Sequence, residues 1–111
     1  KVNVQLNSRI TVTSYLTTPE IAVAAASSRI LISRSGYSTV LDLYFLKKAA
    51  ILIPTPGQTE QEYLAETLRR KGVFFSQSQG QFDLSDALAA ARDYTGFREV
   101  RTELPGLNLD I

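Results

Sequence analysis

The sequence contains no cysteine, no histidine, no methionine and no tryptophan. The absence of cysteine excludes disulfide bonds, a thiolate nucleophile and a metal site built on thiolates. The absence of histidine removes the most common general base of enzymes and the most common protein ligand of transition metals. Catalysis by a cysteine or histidine constellation is therefore excluded within these 111 residues.

Excess charge of one sign and long apolar runs are also missing. The 12 Lys and Arg residues nearly balance the 11 Asp and Glu residues, for a net charge of +1, so no basic face indicates binding to nucleic acid. No apolar run approaches the roughly 18 residues of a membrane-spanning helix, and no signal peptide is visible. We therefore expect a cytoplasmic protein with no transmembrane segment and no nucleic-acid partner.

The overall composition is typical of a globular domain. Apolar residues make up 44% and charged residues 21% of the 111 residues, a length that corresponds to one domain or part of one. The chain begins with lysine and has no methionine, whereas a primary translation product begins with methionine. We therefore expect residues 1–111 to form a single, partial domain of a longer protein.

Short apolar runs alternate with helical patterns along the chain. Ile30–Ile32 and Ala49–Ile53 are continuous apolar runs, which are typical of buried parallel strands. Helices are predicted between and after them, including one over residues 38–48 and a last one capped by Asp83 or Ser85. The helix over residues 38–48 is apolar on most sides, so we expect it to be covered on both faces or packed against another domain. This alternation predicts an α/β fold, with a parallel sheet and flanking helices.

Two of the predicted helices begin in loops at the carboxyl ends of neighbouring strands. The first loop contains Ser35 and Gly36. The second is a proline–glycine loop, and at the start of the helix that follows it Thr59 and Glu62 fit a capping box. Ligands bind at this edge of an open α/β sheet. Helix N-termini there provide free N–H groups and the positive end of the helix dipole. The pattern therefore favours a nucleotide-type ligand that carries phosphate.

Polar residues near the first loop are candidate ligand contacts, each with a structural alternative. Arg34 ends a strand and could pair with a phosphate, with Asp42 or with solvent. Ser38 could bond a phosphate oxygen or cap the helix. Asp42 lies in the first two turns of the same helix, where it could accept both hydroxyls of a ribose or only interact favourably with the helix dipole.

Two more candidates lie in the first turn of the helix that follows the proline–glycine loop. The amide of Gln61 and the carboxylate of Glu62 could hydrogen-bond the hydroxyls of a sugar. Glu62 has a structural alternative, because it completes the capping box with Thr59. Gln61 has no such structural duty in the sequence pattern, which favours a functional role for its side chain.

The order and spacing of these pieces are specific in combination. The chain reads ILISRSGYSTVLD over residues 30–42, ILIPTP over residues 51–56 and QEYLA over residues 61–65, and Gly72 follows the helix. In this it resembles the C-terminal, donor-binding domain of family 28 glycosyltransferases of the GT-B type, over roughly residues 11–92. The resemblance implies a Rossmann-like domain, the C-terminal half of a GT-B fold truncated at its N-terminus. It also implies a UDP-sugar donor, UDP-N-acetylglucosamine or a related one, for hexosyl transfer.

The resemblance assigns roles to individual residues. Backbone near Leu16 would contact the uracil, and the turn at Ser35 and Gly36 would face the diphosphate. Asp42, where the family more often has glutamate, would hold the ribose. The family's paired glutamines, which bind the donor sugar, correspond to Gln61 and Glu62. Together with the candidates above, the expected donor-binding residues are Leu16, Arg34, Ser35, Gly36, Ser38, Asp42, Gln61 and Glu62.

The resemblance implies no catalytic residue, no metal and no cofactor within these residues, the UDP-sugar being a substrate. In the family an N-terminal domain binds the acceptor and carries the usual catalytic base, so we expect the 111 residues alone to be inactive. Two alternatives stay open: the same half-domain in a UDP-sugar hydrolase or UDP-N-acetylglucosamine epimerase, and a non-catalytic subunit or interaction module with this fold.

Overall fold

The computed structural model of the chain describes residues 3–5, 11–13 and 18–96. The residue expected to contact uracil, Leu16, lies outside these described residues. In chain order the elements are β1 (Asn3–Gln5), β2 (Thr11–Thr13), α1 (Thr18–Ser27), β3 (Leu31–Ser33), α2 (Tyr37–Leu46), β4 (Ala50–Leu52), α3 (Thr59–Arg70), β5 (Phe75–Ser76), a 3-10 turn (Gln79–Gln81) and α4 (Leu84–Ala91).

A parallel sheet with the strand order β3-β4-β5 forms the centre of the domain. Strand β4 lies in the middle, with Ile51 opposite Ile32 on one side and Phe75 on the other. Helices α2 and α3 supply the crossovers that parallel pairing requires. Strands β1 and β2 pair antiparallel, and within the described residues they form a separate sheet. The predicted fold, a Rossmann-like open parallel sheet with flanking helices, is confirmed.

Strand β4 is buried on both faces, and the core is built around it. Ala50, Ile51 and Leu52 are each at most 3% exposed. Since successive side chains of a strand point to opposite faces, Ile51 joins Phe75 and Ala87 of α4 on one side of the sheet. Ala50 and Leu52 contact the larger cluster on the other side, whose other members are Val40, Leu43, Leu64, Ala65, Leu68, Val73 and Phe74.

Helix α2 packs in this core by one face only. Val40 and Leu43 are buried, whereas Phe45 is 56% exposed. Within the part of the chain that the structure describes, the helix is therefore not covered on both faces, and the alternative, that it packs against another domain, stays a prediction. The helix also ends earlier than the predicted residue 48, because Lys47 has a left-handed φ of 53°. No helix among the described residues is long and apolar enough to cross a membrane.

Helix α4 is capped at its N-terminus as the sequence predicts. The Oδ1 atom of Asp83 accepts a hydrogen bond of 2.9 Å from the backbone N–H of Asp86. Asp83 has extended backbone angles and is the N-cap residue, while Ser85 lies inside the helix. The side chain thus satisfies one of the helix N–H groups that have no partner within the helix.

Helix α3 ends in a Schellman motif at Gly72. The backbone N–H of Gly72 donates to the carbonyl oxygen of Arg69 at 3.0 Å, and that of Val73 donates to the carbonyl oxygen of Leu68 at 2.9 Å. Gly72 has a φ of 74°, in the left-handed region that the motif requires. Leu68 and Val73 both belong to the larger core cluster, so the turn leads the chain directly from α3 into β5.

Substitution of Gly72 by alanine should lower the free energy of unfolding by about 1–2 kcal/mol, because a left-handed φ is unfavourable for any residue with a Cβ atom. No atom lies within 4 Å of the position that the new Cβ would occupy, so the effect is conformational and not a steric clash. Urea denaturation measures it. The control is Gly80→Ala, at a glycine without positive φ, which should change stability by less than about 0.5 kcal/mol. Equal effects at the two positions would contradict this explanation.

Candidate functional site

The carboxyl ends of β3 and β4 lead through loops into two helices whose N-termini have no side-chain cap. Gly36, with extended backbone angles, is the N-cap of α2, and Gln58 is the N-cap of α3. The first helical hydrogen bonds are donated by Val40 to Gly36 and by Glu62 to Gln58. The backbone N–H groups that precede these donors have no acceptor within their helix. Both helix N-termini therefore present N–H groups and positive dipole ends suited to an anion.

Ser35 holds the two loops together. Its side chain is fully buried, and its Oγ donates a hydrogen bond of 2.7 Å to the backbone carbonyl oxygen of Gln61, in the first turn of α3. The hydroxyl group therefore has a structural partner. Contact between this turn and a diphosphate would have to come from backbone N–H groups, and that part of the expectation stays a prediction.

Ser38 does not cap α2. The helix begins at Tyr37, and no side chain forms a cap hydrogen bond at its N-terminus. Ser38 lies in the first turn with an exposed side chain. Of the two alternatives, the cap is therefore wrong, and the bond to a phosphate oxygen stays a prediction.

Asp42 lies on the same face of α2 as Ser38 and Thr39, because residues three and four positions apart are neighbours on a helix surface. Its side chain is half-buried. Among the described residues an ion pair joins Glu66 and Arg70, and no cation pairs with Asp42. The carboxylate is thus placed one turn behind the N-terminus of α2, and its assignment to a ribose stays a prediction.

Arg34 contacts backbone and amide oxygens at the sheet edge, and not Asp42. Its Nη1 atom donates to the carbonyl oxygens of Ile53 and Pro54 at 3.2 and 3.3 Å. Its Nη2 atom donates to Oε1 of Gln79 at 2.7 Å. The guanidinium group therefore joins the end of β3, the end of β4 and the 3-10 turn. Of the partners that the sequence suggests for Arg34, Asp42 is not in contact with it, the side chain is exposed to solvent, and its contact with a phosphate stays a prediction.

Gln61 makes a structural hydrogen bond that the sequence pattern does not predict, and Glu62 lacks the capping role that the pattern predicts. The Oε1 atom of Gln61 accepts a hydrogen bond of 2.8 Å from the backbone N–H of Thr55, so this side chain closes the proline–glycine loop. The predicted capping box of Thr59 and Glu62 is wrong, because the N-cap is Gln58 and Thr59 already lies in the helix. Glu62 is exposed, and with no capping duty its carboxylate is available at this edge.

Gln79 and Thr55 are further parts of the site, which the sequence patterns do not indicate. Gln79 lies in a polar loop that gave no functional signal, and it meets Arg34 across a separation of 45 residues. Only the order of the strands brings these side chains together. Among the described residues no group of three or more acidic side chains could hold a metal. That the reaction needs no metal or cofactor stays a prediction.

Comparison with known proteins places this geometry in a family. Residues 1–91 match the glycosyltransferase family 28 C-terminal domain. The chain belongs to this family. Both helix N-termini and all the polar contacts described above lie within the matched residues.

Several curated relatives carry the name UDP-N-acetylglucosamine--N-acetylmuramyl-(pentapeptide) pyrophosphoryl-undecaprenol N-acetylglucosamine transferase. The protein of Methylorubrum extorquens strain PA1 is 40% identical over 67 residues, which are 59% of this chain and 18% of the relative. That of Methylobacterium nodulans is 34% identical over 79 residues, which are 69% of this chain and 20% of the relative. The match thus spans about a fifth of the length of these relatives. No solved structure matches the chain.

The two serines of the first loop provide a matched pair of variants. Ser35→Ala removes a buried hydrogen bond between the loops and should lower the free energy of unfolding by about 1–2 kcal/mol. Ser38→Ala removes an exposed hydroxyl with no capping role and should change it by less than about 0.5 kcal/mol. Urea denaturation of both variants tests this difference. If Ser38→Ala lowered the free energy of unfolding more than Ser35→Ala, then Ser38, and not Ser35, would stabilise this turn.

Proposed function

We propose that this domain binds a UDP-sugar, UDP-N-acetylglucosamine or a close relative of it, as the donor for a hexosyl transfer reaction. The observation that carries the proposal is the pair of uncapped helix N-termini at the carboxyl edge of the sheet in a family 28 domain. The names of the relatives support the choice of donor, since each contains UDP-N-acetylglucosamine and describes a transferase. The reaction would take place on the cytoplasmic side, where we expect this domain to lie.

In the proposed reaction a hydroxyl oxygen of the acceptor bonds to the anomeric carbon of the sugar. The bond between that carbon and the diphosphate oxygen breaks, and UDP leaves with the electron pair. Negative charge therefore grows on the diphosphate, where the N-termini of α2 and α3 supply N–H groups and positive dipole ends. The proton of the acceptor hydroxyl would pass to a base in an acceptor-binding domain, which would complete the active cleft.

The side chains at the edge suit the rest of the donor. The half-buried carboxylate of Asp42 can accept hydrogen bonds from the two ribose hydroxyls. Gln61 is fixed through its Oε1 atom, and its Nε2 group can donate a hydrogen bond to a sugar oxygen. The exposed carboxylate of Glu62, next to it, can accept from a sugar hydroxyl.

Substitution of Asp42 by alanine tests the ribose assignment. In the full-length protein, Asp42→Ala should weaken UDP binding about ten- to hundredfold, because it removes hydrogen bonds to a charged acceptor. The wild type should prefer UDP to 2′-deoxy-UDP, and the variant should lose that preference. Isothermal titration calorimetry measures both affinities.

The control for this experiment is Asp86→Ala, which removes an exposed carboxylate from the first turn of α4. Its affinity for both nucleotides should equal that of the wild type. If Asp42→Ala weakened the binding of UDP and the binding of 2′-deoxy-UDP by the same factor, Asp42 would not contact the ribose 2′-hydroxyl group.

The 111 residues by themselves should bind UDP but should not transfer sugar. The reason is that proton removal from the acceptor needs a base, and the chain lacks the histidine that is the most common one. An assay that follows UDP release from UDP-N-acetylglucosamine, with and without a lipid-linked acceptor, measures this. UDP release by this chain above the rate without enzyme would contradict the expectation.

A further inference from the structure

The peptide group between Pro54 and Thr55 is held from both sides. Its carbonyl oxygen accepts a hydrogen bond from Nη1 of Arg34 at 3.3 Å. Its N–H group donates to Oε1 of Gln61 at 2.8 Å. A single peptide plane in the loop after β4 is thus fixed by side chains from the end of β3 and from the first turn of α3. The orientation of Gln61 therefore depends on the same loop that Arg34 binds.

Arg34 also fixes a second glutamine. Its Nη2 atom donates to Oε1 of Gln79, at the start of the 3-10 turn, over 2.7 Å. A guanidinium group and a backbone N–H group can only donate. The atoms that face them must therefore be the amide oxygens, which settles the amide orientation of both Gln61 and Gln79 on chemical grounds.

This orientation leaves the two Nε2 groups available as donors. Among the described residues, neither Nε2 of Gln61 nor that of Gln79 has an acceptor. An exposed glutamine ordinarily samples many rotamers, but the charge-assisted bond to Arg34 restricts Gln79. The backbone of the turn is restricted as well, because Gln81 N–H donates to the carbonyl oxygen of Ser78. The site thus holds a preorganised amide donor at the carboxyl edge of a parallel sheet, where ligands bind.

We propose that Gln79 is a further donor-recognition residue, whose Nε2 group donates a hydrogen bond to a hydroxyl or acetamide oxygen of the sugar, and that Arg34 is a positioning residue for it. Arg34 connects Gln79 to the Pro54–Thr55 peptide and through that peptide to Gln61, so the three side chains form one unit. The inference rests on the proposed function, since it names a further contact to the same UDP-sugar.

The deciding variant is Gln79→Glu in the full-length protein. Glutamate keeps two oxygens that can accept from Arg34, so the contact to the guanidinium group is retained or strengthened. It replaces the donor by an acceptor, however. If Gln79 recognises the sugar, Gln79→Glu and Gln79→Ala should each weaken binding of UDP-N-acetylglucosamine about tenfold, while binding of UDP alone should not change.

The matched control is Gln81→Glu, which adds the same charge two residues away in the same exposed turn. Its affinities for UDP and UDP-N-acetylglucosamine should equal those of the wild type. Thermal unfolding of all variants checks that they are folded. If Gln81→Glu lost as much affinity for UDP-N-acetylglucosamine as Gln79→Glu, the proposal would be overturned, because the added charge alone would then explain the effect.

The role of Arg34 is tested by combining variants. The lysine of Arg34→Lys cannot reach both Pro54 and Gln79 with one ammonium group. This variant should therefore weaken the binding of UDP-N-acetylglucosamine more than the binding of UDP. If Arg34 acts through Gln79, the fold loss of affinity for UDP-N-acetylglucosamine in the Arg34→Lys, Gln79→Ala double variant should be smaller than the product of the fold losses in the two single variants. Strictly multiplicative losses would overturn the positioning role.

The remaining outcomes separate the two proposals. If the wild type bound neither UDP nor UDP-N-acetylglucosamine in calorimetry, the proposed function itself would fail. If the wild type bound both and Gln79→Glu bound the UDP-sugar equally well, only the assignment of Gln79 would fail. The same holds if Gln79→Glu weakened UDP and UDP-N-acetylglucosamine by the same factor, since the contact would then not be to the sugar.

Discussion

The parallel pairing of β4 with both of its neighbours is the constraint on which the rest of the domain depends. It brings the carboxyl ends of three strands to one edge, and each of the loops that follow is held there by polar contacts. Because Ala50, Ile51 and Leu52 are buried on both faces of the sheet, a shift in register would move apolar side chains out of both clusters. The position of the candidate site is thus set by the core.

Hydrogen bonds between loops then determine how this edge presents its polar groups. Ser35 joins the turn before α2 to the first turn of α3. Arg34 joins the ends of β3 and β4 to the 3-10 turn, and Gln61 closes the loop after β4. These side chains bind protein groups, and no side chain caps α2 or α3, so the first backbone N–H groups of both helices have no helical acceptor at this edge. A site built in this way needs little reorganisation when an anionic ligand enters.

Local patterns predicted the elements better than they predicted the partners of individual side chains. Asp83 caps α4 as expected, because an N-cap bond involves residues only three positions apart. The equally local capping box at Thr59 is wrong, since the loop before α3 is held by Gln61 and the helix begins one residue earlier. The apolar pattern of α2 indicated cover on both faces or packing against another domain. Phe45 is exposed, because the neighbouring elements in the described residues cover one face only.

The sequence by itself determined the class of fold, the order of the elements and the edge at which polar residues gather. These follow from apolar periodicity, turn residues and the alternation of strands and helices, which are local in the chain. Only the tertiary structure decided that Arg34 meets Gln79, that Ser35 is a buried connection and that Gln61 has a structural bond. These contacts join residues from 6 to 45 positions apart across different loops. They depend on strand order and on the three-dimensional course of the loops, which a linear pattern of residue types does not contain.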